Sequence, residues 1–223
     1  MKSSKEDITR VVRTKREAQA WYDSLSPWYD VLMDPFERRY RSMGIELLDA
    51  KQGECIADIG TGTGNALVSL AAAVGDTGRV IGVDIADGMC RTARQKAQVS
   101  DVPDRIEIIQ GDAFSLPIAS KSLDAVFMSF TLELFDTPNL PAVLGECKRV
   151  LRDGGRLCVV SLSKRDAGYV TGLYEWLHER MPTYFDCRPI YAEKTLAAEG
   201  FETIETRDET MWGLPLEIVL GRV

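Results

Sequence analysis

The stretch from Glu54 to Asp84, ECIADIGTGTGNALVSLAAAVGDTGRVIGVD, constrains the fold of this chain more than any other. It is an apolar run, a turn carrying Gly60, Gly62 and Gly64, a short amphipathic segment, and a second apolar run that ends on Asp84. Glycines at alternate positions let a strand turn sharply into a helix and let bare backbone approach a ligand, while the new helix N-terminus offers unpaired N–H groups. An acid at the tip of the following strand can accept two hydrogen bonds from a ribose diol. A nucleoside-bearing cofactor is the expected cargo.

The same alternation continues along the chain. Strands are expected at Glu54 to Ile59, Arg79 to Asp84, Ile106 to Gln110, Leu123 to Ser129 and Arg156 to Leu162, with helices at Asn65 to Val74, Asp87 to Gln98 and Leu140 to Leu151 between them. Strands apolar on both faces and separated by helices imply a parallel sheet covered on both sides, with the ligand across the C-terminal strand ends. Helices at Tyr169 to Arg180 and Tyr191 to Glu199 follow. Two closing strands, Thr203 to Asp208 and Leu216 to Leu220, are close enough together to form an antiparallel hairpin. The expected fold is therefore α/β, a Rossmann-like doubly wound sheet of seven strands, mostly parallel, with a terminal antiparallel strand. Two helices, about Glu6 to Tyr22 and Pro35 to Asp49, precede the first strand and could lie over the open end of the sheet.

The chain of 223 residues, 45% of them apolar, suits one domain, with residues 1–50 as an N-terminal helical lid and 51–223 as the cofactor-binding body. A net charge of −7 argues against a nucleic-acid partner, which needs clustered Lys and Arg. Arg10, Arg13, Lys15 and Arg16 alternate with Glu6, Asp7 and Glu17 and read as a solvated helix face. No run approaches the ~20 apolar residues of a membrane span, and MKSSKEDITR lacks a signal-peptide core, so a cytoplasmic location is expected. The five cysteines, Cys55, Cys90, Cys147, Cys158 and Cys187, contain no C-x-x-C pair, so neither a disulfide framework nor a metal site is indicated. Cys187 is the one expected in a loop.

A glycine turn with a downstream acid also occurs in nicotinamide enzymes, and a nicotinamide-dependent oxidoreductase is one reading. Three details favour another. The spacing is G-x-G-x-G rather than the G-x-G-x-x-G that accommodates a pyrophosphate. Asp58 precedes the glycines, where a carboxylate would repel a pyrophosphate yet accept an ammonium-bearing tail. The third strand ends in Gln110-Gly111-Asp112-Ala113, which puts an acid where it could accept an adenine amino group.

The combination DIGTGTG, GVDI-x-x-x-M, GDA-x-x-LP and VL-x-x-GG resembles the class I S-adenosylmethionine-dependent methyltransferases. Within that class WYDSLSPWYD, GVDIADGM, QGDAFSLPIASKSLDAVFMSF and CKRVLRDGGRL look most like the ubiquinone/menaquinone C-methyltransferase family and its small-molecule relatives. The resemblance implies S-adenosyl-L-methionine as cofactor, with Asp58, Gly60, Gly62 and Gly64 at its methionine portion and Asp84 at its ribose. It further implies Ile85 and Met89 flanking the adenine, Asp112 and Ala113 at the adenine edge, and Ser129 near the sulfonium. Tyr22 and Tyr29 match the family's N-terminal lid. Asp124 resembles its structural acid at the start of strand four.

A sulfonium is already an activated methyl donor, so transfer depends mainly on holding the acceptor near it in a desolvated pocket. Beyond strand four, Glu133 is the charged member of Phe130 to Phe135, and here the sequence departs from the quinone methyltransferases, which carry a basic or amide residue. Glu133 could deprotonate a phenol or hydroquinone, bind a cationic head group, or be a rim carboxylate. His178, the sole histidine, is a second candidate base. Trp28, Phe36, Tyr174, Trp176, Tyr184 and Trp212 could cover a greasy acceptor or pack the core. The expected acceptor is a small or lipid-like quinol, phenol or lipid. Peripheral contact with a membrane and a homodimer stay open, as does a binding protein that holds the cofactor without catalysis.

Overall fold

The computed structural model describes residues 8, 10, 11, 14–165, 168–180 and 187–223, apart from the side chains of 169 and 177–179. Its elements are α1 (Lys15–Leu25), α2 (Tyr29–Leu32), α3 (Asp34–Leu48), β1 (Cys55–Ile59), α4 (Leu67–Val74), β2 (Arg79–Asp84), α5 (Asp87–Gln98) and β3 (Ile106–Gln110). There follow β4 (Leu123–Ser129), α6 (Leu140–Val150), β5 (Leu151–Leu162), α7 (Tyr169–Arg180), α8 (Ala192–Ala198), β6 (Glu202–Met211) and β7 (Leu214–Arg222).

The seven strands form one sheet in the order β3-β2-β1-β4-β5-β7-β6. The first five are mutually parallel, and β7 runs antiparallel to both β5 and β6. The expected doubly wound sheet, closing hairpin and antiparallel terminal strand are all present. Strand order reverses between β1 and β4, so the crevice for a ligand opens at their C-terminal ends.

Apolar side chains of alternate strand residues face two cores. On one face Ile56, Phe127, Cys158 and Val160 pack with Leu47 and Leu48 of α3 and Leu67 and Leu70 of α4. On the other, Ala57, Val126, Leu157 and Val159 pack with Val143, Leu144 and Cys147 of α6 and Leu196 of α8. Cys90, Cys147 and Cys158 are buried filler, and Cys55 and Cys187 are half-buried. Asp124 takes the Cys55 N–H at 2.7 Å and ties β4 to β1, the structural part expected of it.

The N-terminal helices differ from expectation. The helix expected from Glu6 starts at Lys15; residues 1–7, 9, 12 and 13 lie outside the described residues, while 10, 11 and 14 are not helical. Thr14 and Glu17 form a reciprocal capping box, which satisfies orphan N–H groups and sets this start. α3 lies on the sheet face rather than over its open end. Gly44 permits this approach, since a Cβ there would stand 2.4 Å from Val160 and 3.0 Å from Phe127. β5 begins at Leu151, ahead of the expected Arg156, by passing through Gly154 at φ 77° and shifting register against β4. Among the described residues no helix is long and apolar enough to cross a membrane.

Candidate functional site

A cavity of about 310 Å³ opens where the strand order reverses. Strand tips build its floor: Gly60 and Gly62 after β1, Asp84 and Ile85 at the end of β2, Asp112 and Ala113 after β3, and Ser129 at the end of β4. Met89 of α5 and the two tyrosines, Tyr22 of α1 and Tyr29 of α2, complete it. Every cofactor residue expected from the sequence lines this cavity except Asp58 and Gly64.

The glycine turn separates three duties. Gly60 has φ 71°, and a Cβ there would stand 2.3 Å from Thr131 of the loop beyond β4, so only glycine lets the two strand tips meet. Gly62 has φ 54° and open space where a Cβ would point. Gly64, at φ 81°, lies behind the turn, where a Cβ would stand 3.0 Å from Ala93, and seats α5. The Gly62 N–H donates to Asp84 at 2.8 Å and the Ala86 N–H donates to its other oxygen at 2.9 Å. Each oxygen keeps acceptor capacity for a diol. Burial pushes the Asp84 carboxyl above the ordinary range, and these backbone donors oppose it.

Asp58 borders a small adjoining cavity of about 30 Å³ that shares Tyr29, Gly60, Gly62 and Ser129 with the large one. The Thr61 hydroxyl donates to it at 2.6 Å, while burial lifts its pKa to about 6. Around it stands a polar cluster from α2, α3 and the glycine turn. Tyr29 donates its hydroxyl to both oxygens of Glu37, each at 3.2 Å. Arg41 pairs with Asp34. Asp30 accepts from Thr63 at 2.6 Å, from Asn65 at 3.0 Å and from Lys96 at 2.6 Å. Burial would raise the Asp30 carboxyl, but those donors hold it below the usual range. The Ser129 hydroxyl, buried and bordering both cavities, has no hydrogen-bond partner among the described residues. A diol acceptor, the apolar lining from Ile85 and Met89, and a polar recess with an orphaned hydroxyl fit a nucleoside joined to a charged amino-acid tail.

A strap of the N-terminal segment crosses this edge. Lys15 reaches Asp112 after β3 at 2.5 Å. Arg10 grips both oxygens of Asp136, beyond β4, at 2.6 to 2.8 Å, and the Val11 N–H adds a bond at 3.2 Å. The Arg10 hydrogen bond, more than any other contact, holds the Asp136 carboxyl below the usual range. Arg10 and Lys15, expected on a solvated face, are therefore paired across the cavity. Nothing local in the sequence marks these partners. Thr63 and Asn65, polar residues interleaved with the glycines, did carry a signal for the recess.

Glu133 is fully buried but does not line the cavity. One oxygen accepts the Leu162 N–H at 3.1 Å, replacing the ladder partner that β5 loses where β4 ends; the other has no hydrogen-bond partner among the described residues. Burial raises its pKa to about 8, with Glu37 adding to the shift and Arg188 opposing it. Arg188 is itself buried and donates to the Phe135 carbonyl and to Thr137 at 3.0 Å. His178 falls within α7, its side chain outside those described, and Tyr184 is outside the described residues altogether.

Comparison with known proteins matches residues 56–155 to a methyltransferase domain family. The demethylmenaquinone methyltransferase of Oceanobacillus iheyensis is 31% identical over 181 residues, covering 81% of this chain and 73% of the relative. A ubiquinone/menaquinone biosynthesis C-methyltransferase of an Enterobacter species is 31% identical over 147 residues, covering 64% of this chain and 58% of that one. Among solved structures, a SAM-dependent methyltransferase from Aquifex aeolicus superposes with a TM-score of 0.66 at 20% identity, over 92% of this chain and 98% of the other, a likeness of fold. With its strand-tip acid and glycine cradle at the switch point of a seven-stranded sheet, the chain belongs to the class I S-adenosylmethionine-dependent methyltransferases, an enzyme family whose cofactor is S-adenosylmethionine, and is similar within it to the ubiquinone/menaquinone C-methyltransferases.

Proposed function

We propose that this enzyme methylates a small lipid-like acceptor with an aromatic ring, a quinol or phenol. The observation that carries the reading is the cavity's composition: beyond the polar strand tips it is walled by Phe130, Leu134, Phe135, Tyr22 and Tyr29, a surface for a flat apolar ring. The activities for which the relatives are named, demethylmenaquinone and ubiquinone/menaquinone methylation, support the same class.

S-adenosylmethionine supplies an activated methyl group. The chain's own residues bind and orient it. Asp84 would hold the ribose, Ile85 and Met89 would supply the apolar contact for the adenine, and Asp112 with Ala113 would meet its edge. Asp58, Gly60, Gly62 and the Glu37–Arg41 recess take the amino-acid tail, and Ser129 faces the reacting end. Gly64 serves the turn through its packing on α5. Arg10, Val11, Thr14 and Lys15, with α1 and α2, act as the lid that excludes water.

The acceptor must lose a proton. Tyr29 is in the cavity with its hydroxyl on Glu37, so a proton leaving the acceptor oxygen passes to Tyr29 as the tyrosine proton passes to Glu37. Glu133, turned toward Leu162, positions the loop beyond β4 in its neutral form, and acts as base only if that loop turns it outward. Thermal-shift titration with S-adenosylhomocysteine present tests the acceptor class. A reduced naphthoquinol should raise the melting temperature and an aliphatic amine should not; the reverse order would overturn the reading.

A further inference from the structure

The run WYDSLSPWYD repeats a Tyr-Asp pair, Tyr22-Asp23 in the last turn of α1 and Tyr29-Asp30 at the start of α2. Successive residues of a helix point about 100° apart, so such a pair can serve two neighbouring surfaces. Here the rings line the cavity, while the acids reach the body of the fold.

Asp23 accepts the Gly88 N–H of α5 at 2.7 Å. That N–H lies in the first turn of α5, where a helix has no partner of its own for it, and Ala86 at the N-cap supplies no side-chain acceptor. The cap comes instead from α1, 65 residues away in sequence. Glycine at position 88 admits it, because a Cβ there would stand 2.7 Å from the Ser26 hydroxyl and 3.1 Å from the Asp23 carbonyl. Asp30 makes the second tie. It pairs with Lys96 in the last turn of α5 at 2.6 Å, and it accepts from Thr63 and Asn65 of the glycine turn at 2.6 and 3.0 Å. Gly88 and Lys96 stand about 12 Å apart along the helix axis. A segment held at one point can pivot; one held at both ends of a helix cannot.

We infer that Asp23 and Asp30 are positioning residues, which clamp the end of α1 and the start of α2 onto α5 and thereby fix the Tyr22 and Tyr29 rings on the cavity. Opening of the site then falls to the segment ahead of α1, which Arg10 and Lys15 tie down. That the rings bear on S-adenosylmethionine rests on the function proposed above, whereas the clamp itself is read without any ligand.

Hydrogen exchange of the ligand-free chain, followed by mass spectrometry, reads the clamp, and calorimetry with S-adenosylhomocysteine reads the rings. In Asp23→Ala and in Asp30→Ala, peptides spanning α1 and α2 should exchange about fivefold faster, the effect of losing one helix cap, while those of β1 and β4 keep their rates. S-adenosylhomocysteine affinity should fall by a similar factor in Asp23→Ala. Asparagine caps a helix about as well as aspartate, so Asp23→Asn should restore both readouts. In a Tyr22→Ala background Asp23→Ala should cost no further affinity, since it acts through that ring. If Asp30→Ala fails to fold, Lys96→Met cuts the same tie from the side of α5. Unchanged exchange in α1 and α2, faster exchange throughout the chain, no restoration by Asp23→Asn, or full additivity with Tyr22→Ala would each overturn the inference. Faster exchange confined to α1 and α2 with affinity unaltered would keep the clamp and remove Tyr22 from the cofactor site.

Discussion

Gly62 and Asp84 are joined by a hydrogen bond of 2.8 Å from the glycine N–H to the carboxylate, so the turn after β1 and the tip of β2 form one unit. The acid that would hold the ribose is oriented by the loop that would hold the rest of the donor. Positions 22 residues apart in sequence are thereby locked before any ligand arrives.

Asp84→Ala should accordingly weaken S-adenosylhomocysteine binding by about 1.5–3 kcal/mol, the worth of charged-group hydrogen bonds. Isothermal calorimetry reads this directly. Because the variant also frees two backbone N–H groups, Asp84→Asn is the companion, and affinity unchanged in both would remove Asp84 from the site.

Tyr29→Phe keeps the ring and loses the hydroxyl that Glu37 holds. Turnover should fall by about 10²–10⁴ with nearly unchanged S-adenosylhomocysteine affinity, as expected on losing proton transfer. Steady-state kinetics beside calorimetry checks the split. An unaltered kcat would send the proton by another route.

Lys15→Ala and Arg10→Ala cut the strap at Asp112 and Asp136. Exposed ion pairs contribute little to stability, so the melting temperature should barely move, while release of S-adenosylhomocysteine accelerates. High salt should mimic both changes. Stopped-flow release at wild-type rates in the variants would show that the strap does not gate the cavity.

Glu133 makes stability depend on pH. The unfolded chain releases this proton near pH 4.5, whereas the folded one keeps it to about 8. Between those values the native state binds more protons, so stability falls as pH rises, by at most about 1.4 kcal/mol per unit, and levels off above 8. Asp58 adds the same sign up to about pH 6. Glu133→Gln retains an acceptor for the Leu162 N–H and should flatten the decline between 6 and 8. Urea midpoints at three pH values measure it; parallel curves for variant and wild type would refute the buried neutral acid.

Most of the sheet was legible because fully buried strands leave apolar runs and the glycine turn marks the first crossover. The bounds of β2, β3, β4, α5 and α7 agree with those expected. The start of β5 was not legible because Asp153-Gly154-Gly155 has the composition of a turn, whereas the strand begins before it at Leu151 and crosses it with a register shift against β4. Tertiary partners decided the rest. An amphipathic α3 says that it packs, but not that Gly44 lets it lie against Val160. Arg10 finds Asp136 from 126 residues away, so its helix-like spacing with Lys15 was misleading. In the site, strand-tip acids were legible since topology alone brings strand ends together. The inward turn of Glu133 was not, because it depends on an N–H left over where β4 stops short of β5.

The most direct measurement supplies methyl-labelled S-adenosylmethionine and a reduced demethylnaphthoquinol, then follows label into the organic extract and S-adenosylhomocysteine in the aqueous phase. The expected result is label in the quinol, matched one for one by S-adenosylhomocysteine and strongly reduced by Tyr29→Phe. Tight S-adenosylhomocysteine binding with no label reaching any quinol or phenol would contradict the proposed reaction.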